Sequence, residues 1–496
     1  MLNLRTPKRI VILGGGTAGW FAALTLRRIF SANVEVRVIE SSQIGIVGVG
    51  EGGLLNIHDA LLRNQIDIKE FMAETDATFK WGFSYEGWRT GKADDKFYHL
   101  FTSARGEGAQ WVEGGFLPYY SALINQGVPL ESWIRGFQLI KNNASMEEAI
   151  KAVDEDRTDL VTSFHFDSYK IAKYMKKVAL SRGVVHEDVL VKDFVRNEEG
   201  LVTKLITEKG EVELDFLIDS SGLTRQVMAK MPGARWQTFK DYLLMDSAIP
   251  FYMPHPNKNP MLITRAITMD AGWMWQIPLS TRVGAGYVFS SKHKSEADAI
   301  DEIQKYLGFE IEPHKTIRFD PGCYEQVWIK NVMSLGLSSG FVEPLEATSI
   351  GQMIEQLRNF ERVLVSSQGI ISENSIREYN EANLASWHGI RDFLRMHYDC
   401  TRNDTPLWQE VNKSPMTDRY AEFRKCIQER TPHLIDVENY AINGWGGIFH
   451  PVNWMSVAVP LGLVPVSAAG MDLLWLSKDK QQKALDFVKK VQEKGW

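Results

Sequence analysis

The first forty residues combine apolar runs with a glycine-rich turn. Ile10 to Leu13 form an uninterrupted apolar run, which is typical of a strand that is buried on both faces. Glycines between residues 14 and 19 separate this run from an amphipathic stretch that ends near Phe30. A further strand-like run over residues 34–40 ends on Glu40. The order strand, turn, helix, strand predicts a βαβ unit.

Two later runs have the pattern of strands from the same kind of sheet. The first covers residues 214–219 and follows a hairpin-like segment, residues 189–213, whose turn contains Gly200. The second covers residues 332–336 and leads into a helical pattern from Thr348 onward. Helical patterns also dominate after residue 373. We therefore predict an α/β fold with a Rossmann-like module and a mainly helical C-terminal part.

These patterns predict how the chain is divided. Residues 1–370 form a nucleotide-binding module that is assembled from segments 1–55, 160–225 and 330–365. Segments 56–159 and 226–329 are inserted between them on the substrate side. Residues 371–496 form the helical part and cover the substrate site.

One nearly uncharged stretch, residues 454–476, has the length of a membrane span. Pro460, Pro465 and Asp472 interrupt it, and they would break or charge a spanning helix. A buried segment with turns accommodates them. We therefore expect no membrane association.

Charge and cysteine content narrow the function classes. The net charge is −6 and the basic residues are interspersed with acidic ones, which argues against a nucleic-acid partner. The three cysteines, Cys323, Cys400 and Cys426, have no metal-ligand spacing, so we predict neither a zinc site nor a disulfide framework. The N-terminus lacks the apolar region of a signal peptide, so we expect a cytoplasmic protein. A homo-oligomer is compatible with this composition.

The glycine turn carries the first chemical signal. Gly14 permits a tight turn, Gly16 lets a pyrophosphate approach the backbone, and Gly19 lets the helix pack on the strand. Glu40 lies at the end of the next strand, where it can hold a ribose diol. A dinucleotide site is therefore predicted. FAD is favoured over NAD by analogy, because flavoprotein folds of the monooxygenase type also continue into distant segments.

Several motifs together resemble one family. They are GGGTAGW at residue 14, VGVGE at residue 47, HFD at residue 165, WMWQIP at residue 273 and FVEPLE at residue 341. They recur in the order found in flavin-dependent halogenases of the tryptophan halogenase type, and the resemblance runs from residue 10 to about residue 410. The Trp-x-Trp-x-Ile-Pro run is commonly taken as the signature of that family.

The resemblance implies a two-site chemistry. Reduced FAD and oxygen convert halide to hypohalous acid, which passes through an internal tunnel to a lysine beside the aromatic substrate. Lys80 matches that lysine, and it would hold the halogen either as a chloramine-type adduct or as hydrogen-bonded hypohalous acid. The simpler alternative is a surface lysine whose stem lies along Phe79 and Trp81.

Glu346 matches the carboxylate that the family pairs with the lysine, where it assists the electrophile or accepts the ring proton. The alternative is a carboxylate at a helix entry, a role that Glu343 could also fill. Thr348 and Ser349 match the family's halide site at the start of a helix. Simple N-capping of that helix is the alternative for these two residues.

Four further residues match the tunnel and the substrate site. Trp273 and Trp275 alternate as in a strand, so both indoles face one side, where the family has its tunnel wall. His99 and Phe101 match residues that stack on the aromatic substrate. Ordinary core packing is the alternative for both pairs.

The resemblance also outlines the cofactor site. Its predicted residues are Gly14, Gly16, Thr17, Ala18, Gly19, Glu40, Ser41, Val47, Gly50, Glu51, Val189, Leu337 and Ile350.

The chain departs from the family in two places. Family members specific for free tryptophan carry a late segment that binds the amino acid backbone, whereas residues 440–454 here retain only aromatic candidates, notably Phe449 and Trp454. We therefore predict a broader aromatic substrate, of indole or phenol type. Gly53 is the second departure, since the family usually has a threonine or similar residue near that position.

Two other functions stay open at this point. An aromatic monooxygenase on the same fold would place its substrate against the flavin and would need no tunnel lysine. A flavoprotein that binds FAD without catalysis is the other alternative. Since no second glycine fingerprint is present, we expect a separate flavin reductase to supply the reduced FAD.

Overall fold

The computed structural model describes residues 1–45, 48, 50–102 and 117–494. Its strands are β1 (Leu2–Asn3), β2 (Arg9–Leu13), β3 (Glu35–Glu40), β4 (Glu51–Gly52), β5 (Thr78–Lys80), β6 (Gly82–Glu86), β7 (Lys96–Leu100), β8 (Ser163–Phe166), β9 (Val185–Asp188), β10 (Val191–Arg196), β11 (Val202–Thr207), β12 (Gly210–Glu213), β13 (Phe216–Asp219), β14 (Trp236–Thr238), β15 (Ser247–Met253), β16 (Thr264–Met269), β17 (Gly272–Pro278), β18 (Val283–Phe289), β19 (Ile317–Arg318), β20 (Gly322–Tyr324), β21 (Trp328–Ile329), β22 (Val332–Ser334), β23 (Gly340–Phe341) and β24 (Ile370–Ile371).

The α-helices in these residues are α1 (Thr17–Ile29), α2 (Asn56–Arg63), α3 (Ile68–Glu74), α4 (Pro118–Asn125), α5 (Phe137–Lys141), α6 (Met146–Asp154), α7 (Ser168–Ser181), α8 (Glu296–Leu307), α9 (Thr348–Ser366), α10 (Glu373–His397), α11 (Pro406–Val411), α12 (Asp418–Glu429), α13 (Pro451–Ala458), α14 (Val466–Leu474) and α15 (Lys478–Lys494).

A six-stranded sheet with the order β21-β22-β13-β2-β3-β9 forms the nucleotide-binding layer. Its strands run parallel except for the edge strand β21, which pairs antiparallel with β22. The central strand β2 is apolar and buried because neighbours flank it on both sides, as the uninterrupted run from Ile10 predicts. The α/β fold class predicted from the sequence is confirmed.

The first βαβ unit is formed by β2, α1 and β3. The α1 residues Trp20 and Leu24 are buried, and α1 packs against α7 and α9. The glycine turn therefore ends at the carboxyl edge of the sheet, where ligands bind in open α/β folds.

The second large sheet has seven strands in the order β19-β15-β18-β17-β16-β6-β7. Strands β6 and β7 come from the first predicted insertion, and the others come from the second. The parallel pairing of β6 with β16 joins them. Lys80 lies at the end of β5, just before β6.

The C-terminal part is mainly helical, from α10 to α15. The nearly uncharged stretch of residues 454–476 forms the end of α13, a turn and the whole of α14. Over the ranges described above, no helix is long and apolar enough to cross a membrane.

Candidate active site

A cavity of about 620 Å³ runs from the glycine turn toward Lys80. It begins at the carboxyl edge of the six-stranded sheet, between Gly14 and Ser220, and passes Trp275 and Ile277 of β17. Gly52 and Phe83 line its far end. Both residues lie against Lys80: a Cβ built on Gly52 would lie 2.9 Å from Nζ, and the Phe83 ring centroid is 4.1 Å from Nζ.

The glycine turn forms a cradle that larger residues would fill. A Cβ on Gly14, whose φ is +114°, would lie 2.3 Å from the Ser220 carbonyl oxygen. A Cβ on Gly19 would lie 1.9 Å from the Gly14 carbonyl oxygen, so Gly19 permits the close packing of α1. Gly16 faces open space at the start of α1, where unpaired N–H groups attract phosphate. These residues therefore fit the diphosphate of FAD.

Glu40 borders the cavity, but its carboxylate already has protein partners. The Lys176 Nζ and the His186 Nε2 each lie 2.8 Å from its Oε1. Glu51 lies deeper and receives a hydrogen bond of 3.3 Å from Thr17 Oγ1. Burial raises the pKa of Glu51 to about 7.

The structure brings most of the predicted cofactor residues to this cavity. The residues that line it are Gly14, Gly16, Thr17, Ala18, Glu40, Ser41, Gly50, Glu51, Val189, Leu337 and Ile350. Gly19 lies behind the lining and acts through packing. Val47 lies outside the described residues.

Lys80 is fully buried, so its interpretation as a surface lysine is wrong. Its Nζ donates a hydrogen bond of 2.9 Å to the Gly53 carbonyl oxygen and lies 5.4 Å from the Phe101 ring centroid. Burial lowers the pKa of the Lys80 amine to about 7, against the opposing effect of the Glu346 carboxylate. Gly53 itself packs tightly, since a Cβ there would lie 2.6 Å from Ile57 Cγ2.

Glu346 is also fully buried, within a cluster of hydrogen-bonding side chains. His99 Nδ1 lies 2.8 Å and 2.9 Å from its two carboxylate oxygens, and His397 Nε2 lies 3.2 Å from Oε1. The Tyr85 hydroxyl donates to the same oxygen. Burial raises the pKa of Glu346, but His99 and His397 outweigh it and hold that pKa well below its ordinary value. The carboxylate is therefore anionic at neutral pH.

The backbone around Glu346 is strained. Glu346 has a φ of 63° and Ala347 a φ of 53°, so two consecutive residues with side chains adopt the left-handed region. This conformation costs about 1–2 kcal/mol for each residue. The cluster around Glu346 holds it in place, and it turns the chain from the carboxylate into α9.

The start of α9 has free hydrogen-bonding capacity. Ala347 occupies the N-cap position, and no side chain caps the helix, so N-capping by Thr348 or Ser349 is wrong. Thr348 is buried and its Oγ1 has no hydrogen-bond partner, whereas Ser349 lines the cavity. The backbone N–H groups and the Thr348 hydroxyl therefore offer donors for an anion.

Trp273 and Trp275 lie on the same side of β17, with their ring centroids 6.4 Å apart. Trp275 borders the cavity, and Gly286 leaves room for its indole. Trp273 lies outside the cavity lining and donates a hydrogen bond of 2.6 Å to Glu343 Oε2.

Glu343 is a buried structural carboxyl and not a helix-entry carboxylate. Besides Trp273, the Tyr398 hydroxyl donates a hydrogen bond to it. Burial raises the pKa of Glu343 to about 7, despite the opposing hydrogen bonds from Tyr398 and Trp273.

The predicted substrate residues lie in one aromatic cluster. The His99 and Phe101 ring centroids are 6.2 Å apart. Phe393 of α10 lies between these residues and the C-terminal pair, with its ring centroid 6.1 Å from His99, 3.8 Å from Phe449 and 5.0 Å from Trp454. Phe449 and Trp454 also line a small cavity of about 10 Å³.

Sequence reasoning missed four residues of this site: Tyr85, His397, Phe393 and Asn453. Tyr85 and His397 contact Glu346 although they lie 261 and 51 positions away from it in the chain. Their only signal in the sequence is a polar group among apolar positions of β6 and α10.

Across the described part of the chain, no cluster of histidine, cysteine or carboxylate groups could hold a metal ion.

The arrangement separates two kinds of chemistry. A nucleotide-sized cavity reaches Gly52 and Phe83, and behind them lies the buried Lys80 amine, whose pKa is near neutrality. A buried carboxylate lies close enough to that amine to influence its charge. Aromatic side chains lie beside both groups, and such side chains can stack on a flat ring.

Comparisons with known proteins agree with this geometry. The family model described as "Tryptophan halogenase" matches residues 9–472. The uncharacterized protein y4xG of Sinorhizobium fredii (strain NBRC 101917 / NGR234) is 40% identical over 494 residues, which cover 99% of this chain and 97% of that protein. Tryptophan 6-halogenase SttH of Streptomyces toxytricini is 29% identical, with 93% of this chain and 91% of SttH covered.

Solved structures give the same result. Tar14, a tryptophan C-6 flavin-dependent halogenase (chlorinase) from taromycin biosynthesis, superposes with a TM-score of 0.83 and 28% identity, over 98% of this chain and 97% of Tar14. The match thus covers the sheet, the cavity and the helical part together. The chain belongs to the tryptophan halogenase family and is an FAD-dependent halogenase, an oxidoreductase.

Proposed function

We propose that the protein halogenates an electron-rich aromatic ring, of indole or phenol type, with Lys80 delivering the halogen and Glu346 assisting. The observation that carries this proposal is the cavity that ends against Lys80, through Gly52 and Phe83. Lys80 and Glu346 are both fully buried, so each would act in a medium where charge interactions are strong.

The glycine cradle would hold FAD, which in its reduced form would activate oxygen and so supply the two-electron oxidant that turns halide into hypohalous acid. The uncapped start of α9, with the Thr348 hydroxyl and Ser349, would hold the halide. Trp275 would form part of the wall that keeps the aromatic substrate away from the flavin.

Lys80 would receive hypohalous acid at the end of the cavity. Because burial brings the pKa of its amine to about 7, both the neutral amine and the ammonium are populated near neutral pH. The neutral amine would form a chloramine-type adduct, and the ammonium would donate a hydrogen bond to hypohalous acid. The two routes predict opposite trends in rate as the pH rises through 7.

Glu346 would stabilise the positive charge that develops on the ring during substitution, and it would then accept the ring proton. Two features support this role. Its interactions with His99 and His397 keep the carboxylate anionic, and the strained turn at residues 346–347 fixes its position.

The substrate class is supported by what surrounds Phe449 and Trp454. The residues around them are aromatic, aliphatic or small, and the hydroxyl of the neighbouring Tyr440 already donates to Asp392. Aromatic side chains at these positions suit a flat ring better than the charged ends of a free amino acid. SttH and Tar14 are both named as tryptophan halogenases, which favours an indole ring.

The test is product analysis by mass spectrometry. Purified protein is incubated with FAD, a separate flavin reductase, NADH, oxygen and each of chloride, bromide and iodide, with free tryptophan, simple indoles and phenols as substrates. We expect regioselectively halogenated indoles or phenols with the unaltered protein and the loss of that regioselective product with Lys80→Ala. Hydroxylated products would favour an aromatic monooxygenase, and halogenation of free tryptophan alone would contradict the proposed substrate class.

A further inference from the structure

Asn453, at the start of α13, connects this helix to the carboxylate cluster. Its Nδ2 lies 2.9 Å from His99 Nε2, and Nδ1 of the same ring lies 2.8 Å from Glu346 Oε1. A chain of polar contacts therefore leads from α13 through one histidine ring to Glu346. His99 and Glu346 are buried, whereas Asn453 is half-buried at the start of α13.

The orientation of the Asn453 amide follows from its second contact. The backbone N–H of His450 donates a hydrogen bond of 2.7 Å to Asn453 Oδ1, as part of the capping arrangement of α13. An N–H group requires an acceptor, so the oxygen of the amide must face His450. The amide nitrogen, which only donates, then faces His99.

This orientation decides where His99 carries its proton. A ring nitrogen that receives an amide N–H must present its lone pair, so Nε2 is unprotonated. The neutral ring then carries its proton on Nδ1, which faces both carboxylate oxygens of Glu346. A doubly protonated ring would set an N–H against the amide N–H, and flipping the amide would break the bond to His450.

We propose that Asn453 is a positioning residue for the Lys80 and Glu346 pair, because it fixes His99 as the neutral ring that donates from Nδ1 to Glu346. This inference rests on the proposed function only for its effect on catalysis. The other titratable groups that face His99 and Glu346 are Tyr85 and His397, which contact Glu346 Oε1, and Lys80, whose amine lies over the Phe83 ring that stacks on His99. His397 differs from His99, because its Nδ1 donates to the Phe393 carbonyl oxygen.

Two substitutions of Asn453 remove its hydrogen bond to His99 but keep an acceptor for the backbone N–H of His450. Asn453→Asp keeps an oxygen for the His450 N–H at an acid-favouring helix position, but it presents an acceptor to His99. Asn453→Ser keeps a short acceptor for the cap and removes the contact with His99 without adding charge. Both variants should fold, and FAD binding and thermal unfolding check this.

The readout is the protonation of the His99 ring, measured by long-range ¹H–¹⁵N correlation spectra of protein labelled with ¹⁵N-histidine. The His99 signals are assigned by their loss in His99→Gln. We expect a bare Nε2 and a protonated Nδ1 between pH 6 and 8 in the unaltered protein. We expect both nitrogens to be protonated in Asn453→Asp, and mixed tautomers in Asn453→Ser.

Turnover provides the second readout. An added carboxylate raises the pKa of a neighbouring histidine by about one unit or more, so the acid side of the kcat profile of Asn453→Asp should move to higher pH by about one unit. A purely structural role would lower kcat equally at every pH. A protonated Nε2 in the unaltered protein, or an unchanged His99 spectrum in Asn453→Asp, would overturn the inference. The spectra need no turnover, so they test it even if Lys80 and Glu346 have other roles.

Discussion

Two buried side chains near the end of the cavity respond to burial in opposite ways. Lys80 is buried with one backbone acceptor, and its pKa falls to about 7, whereas Glu346 is buried among donors and stays ionised. The protein thus holds a partly neutral amine beside an anion. This combination suits the handling of an electrophile, because the amine remains reactive and the anion stabilises developing positive charge.

The first prediction concerns stability and pH. Lys80 has a folded-state pKa near 7 and an ordinary value of 10.5, so the unfolded chain binds more protons between these values and stability rises with pH there. Lys80→Met has no such dependence. Lys80→Met should therefore exceed the unaltered protein in free energy of unfolding by the largest amount below pH 7. Above pH 7 this difference should shrink by about 1.4 kcal/mol per pH unit.

Denaturation curves of the two proteins from pH 6 to 9 provide the measurement. Lys258 is exposed, so Lys258→Met is the control and should differ from the unaltered protein equally at every pH. A constant difference for Lys80→Met would mean that the buried amine does not lose its proton in the folded state over this range.

The second prediction separates the two glutamates. Glu346→Gln should lower kcat for halogenation by about 10²–10⁴-fold, because it removes the anion and the proton acceptor. Glu343→Gln should change kcat by less than about tenfold, because the amide oxygen still accepts from Trp273 and Tyr398. Steady-state kinetics with one indole and one halide compare them. Equal losses in both variants would argue against a special role for Glu346.

Among the helices and strands, the sequence predicted features that depend on neighbouring residues. It did not predict contacts between residues that are far apart in the chain. The glycine turn between β2 and α1 lies within a few residues, and its pattern predicted both the turn and the cavity it borders. The cluster around Glu346 combines β6, β7 and α10, so no local pattern could reveal it. The burial of Lys80 likewise depends on the approach of Gly52 and Gly53 from another segment.

The third prediction tests the cradle at the end of β2. Gly14→Ala would place a Cβ 2.3 Å from the Ser220 carbonyl oxygen, on a backbone with a φ of +114°. The loop must then move, so we expect FAD affinity to fall by at least about tenfold, which is 1.4 kcal/mol.

Gly210→Ala is the matched control, because Gly210 has a φ of +129° but faces open space away from the cavity. It should lower stability by about 1–2 kcal/mol through backbone strain and leave FAD affinity unchanged. Fluorescence titration with FAD measures both variants. If Gly14→Ala binds FAD like the unaltered protein, the cradle does not hold the diphosphate.

At the scale of the whole molecule, three regions of the chain meet at one site. The six-stranded sheet provides the nucleotide cradle, the seven-stranded sheet provides Trp275 and Phe83, and helix α10 provides His397 and Phe393. The sequence predicted the α/β fold, but it did not predict that the two inserted segments share one sheet. Parallel pairing of β6 with β16 joins residues far apart in the chain, and periodicity carries no information on such partners.

The fourth prediction follows from this division of the molecule. The sequence contains a single glycine fingerprint, and we expect the protein with FAD alone not to oxidise NADH. Absorbance at the NADH band over time measures this, with an added flavin reductase as the positive control. Steady NADH consumption without the reductase would show that the protein reduces its own flavin.

In the proposed mechanism, Lys80 passes the halogen from the cavity to the aromatic ring. The most direct measurement compares hypohalous acid and halogenated product in the unaltered protein and in Lys80→Ala, with a small-molecule trap for hypohalous acid in solution. We expect Lys80→Ala still to consume reduced FAD and to release hypohalous acid to the trap, while the regioselective product disappears. Regioselective halogenation by Lys80→Ala at an undiminished rate would contradict this mechanism.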